Sequence, residues 1–244
     1  MQFWFIAAYI SFRGDVMRHK YLLVVLLLVI PIAGGYLFAL RDRTVPTLQT
    51  PVYQGDSTTK SIALTFNVDW GEEYIPAILE TCQEHNIKVT FFVTGRWAQK
   101  FPQLTRQMAR EGHEIGSHGY GHPHPNYLSV EQNLADIKKA EKVLIEILGR
   151  KPSFYAPPYG EHGPTCLQAA EQGGYRTILW SVDSIDWKFR DRDIIFYRVI
   201  NKAHNGAIIL LHPTEATAAA LPSIIKELQR QNYSLVTLSD MLSR

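Results

Sequence analysis

Two histidines four residues apart are the residues whose types and spacing best suit metal chemistry. The segment 118–122 reads HGYGH, so both imidazoles can reach one ion from a helical turn or a tight loop. Asp69, which follows an apolar segment earlier in the chain, supplies a carboxylate. Two histidines and one carboxylate are a common ligand set of catalytic zinc and leave one coordination position open. The histidine pair alone is weak evidence, because surface loops also contain such pairs.

Further polar residues come at the ends of other apolar segments. Asn67 ends the segment SIALTFN, Asp183 and Asp186 lie within WSVDSIDW, and His212 directly follows IILL. In parallel α/β folds, catalytic and binding groups gather at the carboxyl ends of the strands. We therefore expect these residues to meet the two histidines and Asp69 at one end of a sheet.

The elements that must position these residues alternate between strand and helix from Ser61 onward. Ser129 with Gln132 three residues later forms a capping box that begins a long helix, which Gly149 ends. Strands are predicted at 61–67, 89–93, 113–117, 153–156, 177–182, 207–211 and 235–237, and helices at 74–85, 101–111, 129–149, 165–172, 192–202 and 220–231. This alternation predicts an α/β fold with a mainly parallel sheet, and six or more such units favour a closed or nearly closed barrel.

The composition is that of a globular protein rather than a nucleic-acid-binding arm. Of the 244 residues, 46% are hydrophobic and 20% charged, and the formal net charge of +2 comes without a long run of one sign. Nucleic-acid binding usually requires a basic patch, so we predict no such partner. Cys82 and Cys166 lack a metal or redox spacing; we interpret them as buried small residues, with a disulfide outside the cytoplasm as the alternative.

The N-terminal region contains an uncharged apolar segment of membrane-spanning length. Residues 21–40 read YLLVVLLLVIPIAGGYLFAL, and a span needs about 20 such residues. We predict an uncleaved anchor here, with a signal peptide and a buried helix as alternatives. Residues 1–20 would precede it, 41–59 would form a linker and 60–244 the folded domain. Met17 begins a tidier charged-then-apolar pattern, so translation is hypothesised to start there.

Five ordered motifs resemble the polysaccharide deacetylase family, carbohydrate esterase family 4. They are LTFNVDWG, GHEIGSHGYGHP, FYAPPYG, WSVDSIDW and IILLHP, and the ending LPSIIKELQRQNYSLVTLSDML is also similar. The resemblance runs from about Lys60 to Leu242. It implies a distorted (β/α) barrel, a divalent metal for which zinc is the expected ion, and removal of acetyl groups from sugar polymers.

The resemblance also implies roles for individual residues. Asp69, His118 and His122 match the family's metal ligands, and His212 matches the acid that protonates the leaving amine. Asp186 beside Trp187 matches the carboxylate that orients the acid, and Asp183 is a second candidate. The residues expected to line the substrate pocket are Tyr159, Trp187, Leu211 and Pro158.

Two positions depart from the family pattern, and both concern the general base. Asn67 stands where the family has the first of two adjacent aspartates, and Ala156 stands where it has an arginine that orients that base. An amide cannot accept a proton at neutral pH. Three explanations remain open: Glu161 or Glu72 replaces the base, the metal acts without one, or Asp69 is itself the base.

The sequence therefore predicts a metal-dependent hydrolase that removes N-acetyl groups from a cell-wall or related polysaccharide. A catalytically silent glycan-binding member is the main alternative, and hydrolysis of a non-sugar amide is a third. The expected protein is a monomer, anchored to the membrane, with its catalytic domain in the cell envelope.

Overall fold

The structure is a computed structural model that describes residues 49–243. The predicted membrane segment 21–40, the residues before it and the start of the predicted linker lie outside the described residues. Within the described part of the chain, no helix combines the length and the apolar character needed to cross a membrane.

Parallel strands and helices alternate along the described residues. The strands are β1 (Ser61–Val68), β2 (Thr90–Val93), β3 (Glu114–Ser117), β4 (Phe154–Tyr155), β5 (Arg176–Thr177), β6 (Val182–Asp183), β7 (Ile208–Leu211) and β8 (Ser234–Leu235). The helices are α1 (Ile75–Glu84), α2 (Gly95–Lys100), α3 (Pro102–Arg110), α4 (Val130–Leu148), α5 (Pro164–Gln172), α6 (Arg192–Lys202), α7 (Glu215–Arg230) and α8 (Leu238–Leu242).

The sheet is a parallel half-barrel centred on β1. Its order is β5-β4-β3-β2-β1-β7-β6, and β8 pairs with the start of β1. Beyond the named strands, Val52 forms a bridge with Ile178 after β5, and Gln54 forms one with Ala207 before β7. Residues 52–54 thus connect the two arms of the sheet, although we predicted them to be linker. The prediction of an α/β fold with a mainly parallel sheet is confirmed.

Alternation along the strands divides the interior into two cores. One face of β1, which includes Phe66 and Val68, packs under the helices. It contacts a core that contains Ile78 and Leu221. Ala63, on the opposite face of β1, joins a smaller core inside the half-barrel with Phe92 and other residues. Because Asn67 lies four residues after Ala63, it shares that inner face.

Sequence patterns correctly predicted the position of most helices and strands. Where a predicted boundary is wrong, the structure shows the physical cause. The capping box at Ser129 and the left-handed Gly149 at the end of α4 are both present. The predicted single strand 177–182 is wrong, since it splits into β5 and β6, which lie at the two ends of the strand order. Helix α7 begins at Glu215 because Thr214 caps it, five residues before the predicted start. Cys82 and Cys166 are buried free thiols, as the simpler interpretation expected.

Candidate active site

Most of the predicted site residues lie around one cavity of about 400 Å³ at the carboxyl ends of the strands. The cavity contacts residues of β1, β6 and β7 and of the segments that follow β1, β3, β4, β5, β6 and β7. Its lining consists of Asn67, Asp69, Trp70, His118, His122, Tyr159, Gly160, Trp180, Asp183, Trp187, Leu210 and His212. Parallel strands bring their carboxyl ends to one edge, which is why residues 145 positions apart in the chain meet here.

His118 is a buried imidazole whose tautomer is set by the backbone. Its Nδ1 lies 2.7 Å from the carbonyl oxygen of Ala156, which can only accept a hydrogen bond. Nδ1 therefore carries the proton, and Nε2 keeps its lone pair. Burial, with a smaller contribution from His122, lowers the pKa of His118 to about 3, so the ring is neutral at pH 7. A neutral imidazole with one nitrogen fixed by a carbonyl is typical of a metal ligand.

The loop between the two histidines is held by a carboxylate from helix α4. Both oxygens of Asp136 accept backbone hydrogen bonds, from Tyr120 N at 2.7 Å and from Gly121 N at 2.9 Å. Gly119 has a positive φ of 73°, and a Cβ there would come within 2.6 Å of Asp136 Oδ2. Glycine is therefore required at position 119 for the loop to approach Asp136 this closely. Sequence reasoning missed Asp136, which had no signal beyond its place on a helix.

The tight loop brings His122 next to His118. The two ring centroids are 4.9 Å apart, and the Tyr159 ring lies 4.6 Å from that of His122 on the other side. His122 and Tyr159 both adopt left-handed backbone conformations, with φ of 55° and 58°. Such conformations cost about 1–3 kcal/mol in residues other than glycine and concentrate at functional sites.

Asp69 follows β1 and is held by three hydrogen bonds. Thr94 Oγ1 and Arg96 Nε each donate to Oδ1 at 2.7 Å, and Arg96 Nη2 donates to Oδ2. Burial by itself would raise the pKa of Asp69, but the bonds from Arg96 and Thr94 outweigh it and lower the pKa. Neither Thr94 nor Arg96 was identified from the sequence, although both follow the end of β2 and so lie at the edge where the other polar residues gather.

His212 is paired with a fully buried carboxylate. Its Nδ1 donates to Asp186 Oδ1 at 2.7 Å, and its backbone N donates to Oδ2, also at 2.7 Å. Thr217 Oγ1 adds a bond to Oδ2 at 2.6 Å. With Nδ1 engaged, Nε2 is the nitrogen of His212 available to a bound molecule. Asp186 rather than Asp183 makes this contact, because the left-handed Ile185 turns the chain between them.

Asp183 lines the cavity in its own right. Its Oδ1 accepts a hydrogen bond from Ile185 N at 2.7 Å, and its carbonyl oxygen accepts one from Arg198 Nε at 3.1 Å. In the described part of the chain, Oδ2 of Asp183 has no donor within hydrogen-bonding distance. Asp183 is therefore a cavity-lining carboxylate with one oxygen free of a donor among the described residues, two strands from β1 in the sheet order.

Several predicted residues lie outside the cavity. Glu161 accepts hydrogen bonds from His124 Nδ1 at 2.8 Å and Asn126 N at 3.1 Å, while Glu72 lies 4.0 Å from Lys100. Pro158 is buried beneath the lining. Leu211 is a correction: it packs in the core under the helices, and Leu210 lines the cavity instead, because neighbouring strand residues face opposite sides.

Tryptophan side chains form exposed walls between this cavity and a second one. Trp70 and Trp187 line both cavities and are 44% and 59% exposed, which suits stacking against sugar rings. The second cavity, of about 640 Å³, also contacts Arg190 and Arg192. The two cavities therefore adjoin at these two tryptophans.

The imidazole and carboxylate side chains at the site are of types that bind divalent metals, but Asp69 is already paired with Arg96. Across residues 49–243, no three His, Cys, Asp or Glu side chains are arranged as a set that could hold a metal ion. The rings of His118 and His122 lie next to each other, whereas both oxygens of Asp69 accept hydrogen bonds from Arg96. Asp69 is therefore the ion-pair partner of Arg96, and a metal ion at this carboxylate would compete with the guanidinium.

Comparison with known proteins gives a consistent result. A family model described as polysaccharide deacetylase matches residues 54–178. The chain is 35% identical over 192 residues to the uncharacterized protein YlxY of Bacillus subtilis (strain 168), a match that covers 79% of this chain and 60% of YlxY. It is 35% identical over 194 residues to a peptidoglycan-N-acetylglucosamine deacetylase of Bacillus cereus, which covers 78% of this chain and 70% of that protein.

Solved structures include a related protein described as inactive. BA3943 of Bacillus anthracis, a carbohydrate esterase family 4 pseudoenzyme, is 35% identical with a TM-score of 0.77, covering 79% of this chain and 68% of that one. A BA3943 mutant described as having restored enzymatic activity is 33% identical with the same TM-score, covering 79% and 71%. Together with the family match and the relative of Bacillus cereus, these similarities establish that the chain belongs to the polysaccharide deacetylase family.

Proposed function

We propose that the folded domain hydrolyses N-acetyl groups of a cell-wall polysaccharide, with peptidoglycan as the substrate class. The observation that carries this proposal is the His212–Asp186 pair, which faces the same cavity as His118, His122 and Asp69. An imidazole whose Nδ1 is held by a buried carboxylate is suited to give a proton from Nε2 to a leaving amine. The related peptidoglycan deacetylase of Bacillus cereus supports the choice of substrate.

We further propose that Asp69, His118 and His122 hold a divalent metal ion, with zinc as the expected ion. When bound, such an ion supplies Lewis-acid polarisation of the acetyl carbonyl. His118 presents Nε2 because Ala156 holds its Nδ1, and the neutral state of its ring suits coordination. Tyr159, Trp187 and Leu210 would surround the acetyl group and exclude water from it.

The proposed reaction is slow, because the cavity lacks the family's usual base. Asn67 lies where that base would stand and cannot take a proton, and the absence of a general base typically costs about 10²–10⁴-fold in rate. Of the carboxylates that line the cavity, Asp69 is bound by Arg96, whereas Asp183 has an oxygen available. Asp183 is therefore a better candidate for the substitute base than Glu161 or Glu72, which lie outside the cavity.

A second candidate function is glycan binding without hydrolysis. Asn67 and Ala156 favour it, as does the similarity to a pseudoenzyme of the same family. In this reading the exposed Trp70 and Trp187 hold the glycan, and His212 retains its geometry for a structural reason. In either case we place the domain in the cell envelope, where wall polymers are, with residues 21–40 as the proposed membrane anchor.

Acetate release separates the two candidates. The full chain is assayed with added zinc on peptidoglycan and on acetylated chito-oligomers, next to His212→Ala and the control His204→Ala. His204 precedes β7, at the opposite end of that strand from the cavity. Slow release that His212→Ala abolishes and His204→Ala retains supports hydrolysis. Binding to insoluble peptidoglycan without any acetate release supports the second candidate.

A further inference from the structure

Arg96 binds the carboxylate of Asp69, which is one of the three proposed metal ligands. Its Nε donates to Asp69 Oδ1 at 2.7 Å and its Nη2 donates to Oδ2, so the guanidinium binds the carboxylate through two parallel bonds. Thr94 Oγ1 adds a bond to Oδ1 at 2.7 Å. Oδ1 of Asp69 therefore has two donors and Oδ2 has one, so a metal ion at this carboxylate competes with a positive charge that is already bound to both oxygens.

The loop that carries the two histidines also fixes the backbone of Arg96. Gly95 N donates to the carbonyl oxygen of Gly119 at 2.8 Å, and Arg96 N donates to that of Tyr120 at 3.2 Å. Those two carbonyls lie between His118 and His122. The fold that brings the imidazoles together consequently sets Arg96 beside Asp69, so the contact is part of the site's construction.

The charge on this side of the cavity suits one guanidinium better than an ion of charge two. Asn67 is neutral where the family pattern has an aspartate, so Asp69 is the carboxylate that remains at the end of β1. Coulomb energy is proportional to the charge of the ion, so this loss weakens the attraction for a divalent ion twice as much as for Arg96. The substitution therefore shifts the competition for Asp69 toward the guanidinium.

Exposure makes the contact reversible. The Arg96 side chain is 50% exposed, whereas that of Asp69 is 11% exposed. Because the guanidinium is half exposed, water can replace its hydrogen bonds, and Arg96 can turn into solvent at little cost to the fold. The Asp69 side chain is mostly buried and cannot turn into solvent in the same way, so it stays in place to pair with either cation.

We propose that Arg96 is a resident counter-cation of Asp69 that competes with the divalent metal, so that metal binds only when the guanidinium turns into solvent. This inference rests on the proposed metal site at Asp69, His118 and His122. It assigns the protein a lower metal affinity than its donor set alone would have. It also gives Arg96 a function in metal binding without contact to the glycan.

Zinc affinity of the full chain tests the competition directly. The dissociation constant is measured by competition with a chromophoric chelator for the wild type, Arg96→Gln and Lys100→Gln. Lys100 lies on the same short helix, is 72% exposed and pairs with Glu72, so its replacement removes an equal charge without freeing Asp69. We expect Arg96→Gln to bind zinc about tenfold more tightly than Lys100→Gln, the effect of one unit charge a few ångströms from a divalent ion in water.

Equal zinc affinities of the two variants would overturn the inference and leave the metal site intact. A lack of zinc binding in every variant would also overturn it, since freeing Asp69 should then have produced a site. Arg96→Lys, which keeps the charge and loses the two-bond geometry, should bind zinc with intermediate affinity. Acetate release at saturating zinc is measured separately, so failure of the proposed hydrolysis is distinguished from failure of the competition.

Discussion

The two sides of the cavity differ in how fully they are equipped for catalysis. On the acid side, formed by His212, Asp186 and Thr217, every oxygen of the buried carboxylate has a donor, and the imidazole is oriented toward the cavity. On the base side, Asn67 and Ala156 replace the pair that the family uses, and Arg96 binds Asp69.

This difference indicates that the residues of the acid side stabilise the fold in addition to their proposed catalytic role. Asp186 ties the end of β7 to the start of α7, so its loss would leave buried donors without partners. The base side lacks such ties: Ala156 is an apolar member of the inner core, and Asn67 faces the cavity. Catalytic groups there can be lost while the fold persists.

Restoring the base side should have the largest effect. In Asn67→Asp with Ala156→Arg, the new carboxylate can accept a proton and the new guanidinium can orient it, as in the family pattern. We expect acetate release to rise about 10²–10⁴-fold over the wild type. Ala156→Arg alone should instead destabilise the fold, because its charge would be buried and unpaired. An unchanged rate in a folded double variant would show that the base does not limit activity.

Removing Asp186 should break the acid side and weaken the fold with it. Asp186→Ala leaves three donors on His212 and Thr217 without their partner, and we expect the free energy of unfolding to fall by about 3 kcal/mol. Urea unfolding at pH 7 measures the change. Asp193→Ala is the control, because Asp193 is exposed on α6. If both variants lost equally little stability, the acid side would not contribute to folding as argued.

Asp183 tests whether a carboxylate on β6, next to the strand that precedes His212, replaces the missing base. If its available oxygen takes the proton, Asp183→Asn should lower the residual acetate release of the wild type by about tenfold or more, since the amide is isosteric but not basic. The same substitution should matter little in the Asn67→Asp, Ala156→Arg background, where a dedicated base is present. A tenfold loss in both backgrounds would instead indicate a role for Asp183 in substrate binding or packing.

Glu161 should show the smallest effect. It bonds to His124 and Asn126 outside the cavity, so Glu161→Gln is expected to change acetate release by no more than about twofold, within the range typical of surface changes. Parallel assays with Asp183→Asn give the comparison. A loss from Glu161→Gln that matched or exceeded the loss from Asp183→Asn would return Glu161 to the position of substitute base.

The amino-acid sequence by itself determined the fold class and most of the polar residues around the cavity. Apolar periodicity and caps are local, so α4 with its capping box and the strands β1 and β2 could be located from residues close in the chain. The rule that polar groups gather at strand ends then placed Asp69, His118 and His212 together. Helices α2 and α8 were not predicted, since six and five residues carry too little periodicity.

Only the tertiary structure decided which of these side chains contact one another. Arg96 reaches Asp69 across 27 residues, and Asp136 holds a loop 15 and 16 residues before it. The choice of Asp186 over Asp183 depends on the left-handed Ile185, and the choice of Leu210 over Leu211 depends on the register of β7. Hydrogen bonds depend on distance and direction in space, and sequence spacing specifies neither once the chain has turned.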